Sequence, residues 1–251
     1  MIRTDRRLRH WLGAVVQGAV VACFAVPAAE SAQAIPLADL FGGEVPETIV
    51  AGDKLFSGWT LLSNSDGTDL SQIEVTPLAD PVDNLGLRYT DAGGVLVLDT
   101  LGEEFGFSFQ FTVTVLDPGQ QITGNSLELV DTATEGFALV QVRETVEDAA
   151  GTTTLATKDV ISQGEPNFEF LLDAATFLPQ QSIVVTTAVS GLVEGTEDFG
   201  RLTQFDQRFS QTFVAVPEPA SLGVLLLGLT GLLVLSQRPP KTAVTRNAGS
   251  A

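Results

Sequence analysis

Phe105-Gly106-Phe107-Ser108-Phe109-Gln110-Phe111-Thr112-Val113-Thr114-Val115 puts a large apolar side chain at every odd position and a small or polar one at every even position. Strand side chains point alternately to opposite faces, so this period of two specifies a β-strand with one buried face. Val95-Leu96-Val97-Leu98 comes before it, with Gly93-Gly94 ahead and Gly102 between, and is expected to be a strand paired with it as a neighbour.

The same reading extends in both directions. Strands are expected at 54–62, 73–76, 85–89, 127–130, 137–146, 152–157, 168–172 and 183–190. Leu202–Phe213 is ambiguous. Phe205, Phe209 and Phe213 fit a helical stripe, and they equally fit one strand face that also carries Gln207 and Gln211; the β-rich surroundings favour strand. Asp173-Ala174-Ala175-Thr176-Phe177 is expected to form one helical turn, and Ile35–Thr48 a lead-in arm. Turn chemistry separates the strands at Ser63-Asn64-Ser65-Asp66-Gly67, Asp80-Pro81, Asp117-Pro118-Gly119 and Asp148-Ala149-Ala150-Gly151. About ten short strands with no long amphipathic helix point to an all-β fold, an antiparallel β-sandwich with Greek-key character.

Both ends of the chain differ from this middle. Arg3, Arg6, Arg7 and Arg9 precede an apolar stretch from Trp11 to Val26, and Ala32-Gln33-Ala34 supplies the small residues that a signal peptidase needs. Residues 1–34 therefore read as a signal peptide cut after Ala34. An alternative is a lipoprotein signal with Cys23 acylated, although Val20-Val21-Ala22-Cys23 lacks the usual Leu. Arg6-Arg7 is not followed by residues that support a twin-arginine signal.

At the other end, Val216-Pro217-Glu218-Pro219 leads into an uncharged apolar run from Ala220 to Leu235, followed by Arg238, Lys241 and Arg246. The two prolines keep the triplet extended. The run, with Ser236, is about 17 residues or roughly 25 Å as helix, the short end of a membrane span. Basic residues only after it orient the C-terminus to the cytoplasm and the preceding domain outside. This segment resembles the PEP-CTERM sorting signal of exported bacterial proteins, on the match of Pro217, Glu218 and Pro219 with the apolar run and Arg238 after them. The resemblance implies an exosortase as processing partner and the cell surface or exopolysaccharide matrix as destination. The division expected is a signal peptide (1–34), an extracytoplasmic sandwich domain (35–215), a sorting signal with a transmembrane helix (216–238) and a cytoplasmic tail (239–251). A tail of this length departs from the family, which stops soon after a tight Arg cluster.

Composition bounds what residues 35–215 can do. The only His of the chain, His10, and its only Cys, Cys23, lie in the leader, so the domain has no His or Cys catalysis, disulfide, or His/Cys metal site. Lys54, Arg88, Arg143, Lys158, Arg201 and Arg208 face all the Asp and Glu of the chain except Asp5, Glu30 and Glu218, a net charge of −22. Such a domain repels nucleic acid and favours divalent or cationic partners. Asn64-Ser65-Asp66-Gly67-Thr68-Asp69 and Glu194-Gly195-Thr196-Glu197-Asp198 carry oxygen ligands of the kind calcium takes, without EF-hand spacing, and read as solvated turns; no cofactor is expected, and calcium bridging such loops is the alternative.

Three functions remain. A structural or adhesive protein of the surface or matrix is the main reading, and the long strand 105–115 would template self-association if its edges were open. A carbohydrate-binding module for matrix polysaccharide is the alternative, with Trp59 and Tyr89 as its aromatic candidates, although their strand pattern favours core packing. A carboxylate-dependent hydrolase is the third. Asp99-Thr100-Leu101-Gly102 and Asp131-Thr132-Ala133 lack the glycine of an aspartic-protease motif and read as strand ends, and Lys54 and Lys158 lie in no Ser-x-x-Lys motif. The main expectation is no enzyme.

Overall fold

The computed structural model describes residues 33–42, 47–78 and 84–213. The chain divides between Ala32 and Gln33, and all described residues belong to the unit that begins at Gln33. Ala34 lies just before the first strand. Ala32 and the rest of the leader, the Asp80-Pro81 turn, Pro217, Glu218, Pro219, Arg238 and the apolar run lie outside the described residues. Among the described residues no helix is long and apolar enough to cross a membrane.

The elements in chain order are β1 (Ile35–Pro36), one helical turn α1 (Leu37–Leu40), β2 (Ile49–Ala51), β3 (Lys54–Asn64), a 3-10 turn (Leu70–Gln72), β4 (Ile73–Leu78) and β5 (Asn84–Asp91). Then come β6 (Val97–Leu98), β7 (Glu104–Val115), β8 (Gln120–Glu135), β9 (Ala138–Asp148), β10 (Thr154–Gln163), β11 (Phe168–Phe170), β12 (Leu172–Gln180), β13 (Ser182–Val193) and β14 (Phe199–Phe213). They form two sheets with only antiparallel pairs. The first runs β1-β4-β5-β14-β8-β12 with β6 added on β14, and the second runs β11-β10-β9-β13-β7-β3-β2. The sheets pack face to face over one apolar core.

The alternation in 105–115 becomes that core. Phe105, Phe107, Phe109, Phe111, Val113 and Val115 are all buried. Phe56 of one sheet lies 5.8 Å from Phe209 of the other, and Tyr89 of the first sheet 5.6 Å from Phe109 of the second. β14 is a strand and not a helix. Phe205, Gln207 and Phe209 point inward while Arg208 lies on the outer face.

Two expectations are corrected, the pairing of Val95–Leu98 and the helical turn at Asp173–Phe177. Val95–Leu98 does not pair with β7. Asp91 accepts hydrogen bonds from the amides of Val95 and Leu96, turning the chain, and Val97–Leu98 pairs with β14 of the opposite sheet, whose Leu202 amide also donates to Leu96 O at 3.0 Å. Both edges of β7 are occupied, by β13 along residues 104–114 and by β3, so this strand offers no edge for self-association. Asp173–Phe177 is not a helical turn but part of edge strand β12, in register with β8 from Leu172↔Glu128 to Thr176↔Gly124. Its alternately exposed side chains on a sheet edge satisfy period two without needing a long apolar face. The lead-in arm carries β1 and α1, which bury Leu37 and Leu40.

Replacing Phe109, which is fully buried and touches the rings of Phe41, Trp59, Tyr89, Phe107 and Phe111, by Ala is expected to cost roughly 3–5 kcal/mol in urea unfolding. Phe168→Ala, at an exposed edge, is expected to change stability by no more than about 0.5 kcal/mol.

Candidate functional site

Two places in the sandwich gather polar groups. The first is an open depression of about 350 Å³ where the end of β3 and the loop after it meet the segment around α1. Ala38, Phe41, Leu61 and Leu70 give it an apolar wall, and Asn64, Thr68, Asp69 and Ser71 give it a polar rim. The rim is held by its own turn. Asn64 Nδ2 donates to Thr68 O at 2.9 Å, and Asp69 Oδ1 accepts from the Ser71 amide at 3.1 Å and hydroxyl at 2.6 Å, capping the 3-10 turn. Gly67 at φ +70° allows the reversal between them. The other amide atom of Asn64, Oδ1, is buried with no hydrogen-bond partner.

This is the first of the two acidic loops considered for calcium. Asp69 is committed to Ser71, and Ser65 Oγ donates to Asp66. Among the described residues no three acidic side chains converge in a metal-holding group. Two donors from Ser71 hold the Asp69 carboxyl below the ordinary carboxylate value of 3.8.

The second place is the middle of the core. Lys158 on β10 and Glu144 on β9 are directly opposed in register, and Glu144 is opposed to Thr187 on β13. Asn125 on β8 and Gln207 on β14 reach them from the other sheet. Lys158 Nζ lies 2.7 Å from Glu144 Oε1 with both side chains fully buried. Lys158 also donates to Asn125 Oδ1, and Asn125 Nδ2 donates to Glu144 Oε1. Gln207 Nε2 donates to Glu144 Oε2 at 2.5 Å and to Thr187 Oγ1 at 2.7 Å. None of the five residues is more than 3% exposed. Elsewhere between the sheets, Lys54 donates to Gln211 Oε1 and lies 3.6 Å from Asp53.

The aromatic candidates do not form a platform. Trp59 is 8% exposed and stacks on Phe111 at 4.6 Å, and Tyr89 is 1% exposed and stacks on Phe205 at 4.4 Å. Burial, with Glu144 nearby, pushes the Tyr89 phenol well above its usual range. Asp99 and Thr100 follow β6 in a turn closed by the Glu103 carboxylate on their amides, and Asp131–Ala133 runs within β8. Glu144, Asn125 and their contact with Lys158 were not singled out from the sequence. The available signal was a charged residue in the buried phase of a strand, Val142-Arg143-Glu144-Thr145-Val146.

No family model and no curated protein sequence matches the chain. Solved structures show weak likeness. TmCBM61 in complex with β-1,4-galactotriose is 16% identical with a TM-score of 0.25, covering 62% of this chain and 88% of that one. The family 32 carbohydrate-binding module of C. perfringens NanJ, in complex with galactose, is 13% identical with a TM-score of 0.24, covering 69% and 97%. The enzymatically active domain of bacteriophage CBA120 tailspike protein 4 is 12% identical with a TM-score of 0.26, and the match spans 19% of that chain. At these scores the likeness supports neither a shared fold nor a shared function.

A lowered carboxyl stabilises the fold above its unfolded pKa and loses that contribution as pH falls through the folded value. Asp69 and Asp148, the latter held low by the amide of Thr152, are therefore expected to titrate below 3.8 in carboxyl NMR of the folded chain. Ser71→Ala is expected to raise Asp69 alone.

Proposed function

We propose that this chain is an exported surface or matrix protein that holds a neutral polysaccharide in the depression beside Asn64, without chemistry on it. The observation that carries this reading is the pairing of an apolar wall, on which Leu61 is 39% exposed, with a polar rim of Asn64, Thr68, Asp69 and Ser71. Sugar rings offer the complement, with C–H faces for the wall and hydroxyl donors for the rim.

Charge selects the class of glycan. Lys54 and Lys158 are buried in the core, so at most the four arginines offset the acidic surface. Each of those arginines faces a carboxylate: Arg88 and Arg208 face Asp206, Arg143 faces Asp159, and Arg201 faces Asp131. Uronic-acid or sulfated polymers meet repulsion there, and neutral ones do not. The weak structural likenesses add nothing to this reading.

Delivery is the other half of the proposal and rests on the sequence pattern. Residues 1–34 direct export, signal peptidase cuts after Ala34, and an exosortase acts at the Pro217-Glu218-Pro219 signal.

Two measurements test these halves separately. In binding isotherms with neutral and uronic-acid polysaccharides, saturable binding to a neutral polymer is expected, weakened about tenfold or more by Asn64→Ala or Leu61→Asp, since about 1.4 kcal/mol is a factor of ten. A folded chain that binds no glycan, or binds equally in both variants, sinks the glycan reading. For delivery, loss of the mass beyond the Pro-Glu-Pro region is expected only in a host carrying an exosortase; an uncut tail in hosts with and without the enzyme overturns it.

A further inference from the structure

We propose that Lys158 and Asn125 join through an autocatalytic amide bond between their side chains, with Glu144 moving the protons. The proposal is independent of glycan binding and of sorting. It rests on three groups that meet in a dry interior. Lys158 Nζ donates to Asn125 Oδ1, the oxygen bonded to the amide carbon Cγ, so the amine lies against the carbonyl it would attack. Glu144 Oε1 lies 2.7 Å from that amine and also accepts from Asn125 Nδ2. One carboxylate oxygen thus touches both the nitrogen that must lose protons and the nitrogen that must gain one. Gln207 holds the other carboxylate oxygen at 2.5 Å, which fixes the carboxylate plane. All four side chains are buried, so water does not compete as nucleophile.

The step balances without an oxidant or other co-reactant. The Lys158 ammonium passes a proton to Glu144 across their 2.7 Å contact. The Nζ lone pair attacks Asn125 Cγ, an Nζ–Cγ bond forms, and the carbonyl π pair moves onto Oδ1. Glu144 then protonates Nδ2 and takes a proton from Nζ. The Cγ–Nδ2 bond breaks, the carbonyl re-forms, and ammonia leaves. The proton that Lys158 brought stays on Glu144 or departs with ammonia as ammonium.

Lys54 provides an internal contrast. It donates to the side-chain amide oxygen of Gln211, and Asp53 lies 3.6 Å from the amine with neither of its buried oxygens hydrogen-bonded to the amide nitrogen.

Because Asn125 belongs to one sheet and Lys158 to the other, the bond would tie the two layers of the sandwich together. It would close a loop over a sequence separation of 33 residues. Under pulling, that span would be withheld from extension, shortening the unfolded contour by about 110 Å at roughly 3.4 Å per residue.

Tryptic mapping of the purified full chain tests the proposal. Cleavage at Arg88, Arg143, Lys158 and Arg201 would release linear peptides 89–143, 144–158 and 159–201. The bond predicts instead a branched species joining 89–143 to 144–201, uncut at Lys158 and about 17 Da lighter than the two segments together, the mass of one ammonia. Wild-type chain that is folded by circular dichroism and yields free 144–158 with an intact Asn125 overturns the proposal, whatever the variants do. Glu144→Gln keeps the size and hydrogen bonding of the side chain and is expected to give only linear peptides. A folded Glu144→Gln chain that still carries the branch overturns the role of Glu144. Lys158→Met is the control without a nucleophile.

Discussion

A lysine and a glutamate lie between two apolar sheet faces with no access to water, and the architecture around them has to meet every polar atom they bring. Taking two charges out of water costs several kcal/mol per ion, which their attraction offsets only if the remaining hydrogen-bonding positions are also filled. Here the filling comes from both layers. Glu144, Lys158 and Thr187 stand in one row across β9, β10 and β13, while Asn125 and Gln207 reach in from β8 and β14. A slip of one residue in any of these strands would turn its polar member to the outer face and leave the others buried and unmatched. Apolar packing alone is more forgiving, because Phe and Val faces tolerate exchange and displacement provided volume is kept. The polar cluster therefore supplies a constraint on which strand faces which that the phenylalanine core cannot supply by itself.

Much of the fold follows from local pattern. Strict alternation at 105–115 needs no partner to be read, since each side chain reports its own face. The decision for β14 over a helix rested instead on its β-rich surroundings, because the spacing of Phe205, Phe209 and Phe213 fits a helical stripe and a strand face equally. Pairing is a different matter. Nothing within Val95–Leu98 tells that β13 has already taken the edge of β7 that it would need, because Ser182–Val193 lies more than 80 residues later in the sequence. The Asp173–Phe177 segment misled for a related reason. Its Ala-Ala-Thr composition is neutral between helix and strand, and the tertiary partner β8 decided the outcome.

The polar cluster was illegible for yet another reason. Glu144 lies between Val142 and Val146 and Lys158 between Ala156 and Val160 at spacing two, and a charge at that phase can be a solvated end or a buried pair. Only the cross-sheet approach of Asn125 and Gln207 distinguishes these, and no spacing within one strand encodes an approach between layers. Of the surface, the turn residues around Asn64 were legible as a turn, whereas the apolar wall was not, because Ala38 and Phe41 come from a separate segment.

The charge economy of the domain connects interior to surface. Two of its six cationic side chains sit in the core and the other four are paired with carboxylates at the surface, so they offer little to an anionic ligand. Within the core, the ion pair is the less favourable of the two chemical forms available to Lys158. As an ammonium it must be compensated permanently by Glu144, and any fluctuation that parts them exposes an uncompensated charge in a medium of low dielectric. Joined to Asn125 as an amide, the same nitrogen carries no charge, and the polar groups left behind are an N–H and a C=O that a carboxyl at Glu144 can serve directly. A domain without cysteine has no disulfide to stiffen it. A bond made from lysine, asparagine and glutamate does the equivalent work while requiring neither an oxidant nor a particular redox compartment, and it converts the most costly residues of this core into a connection between its layers.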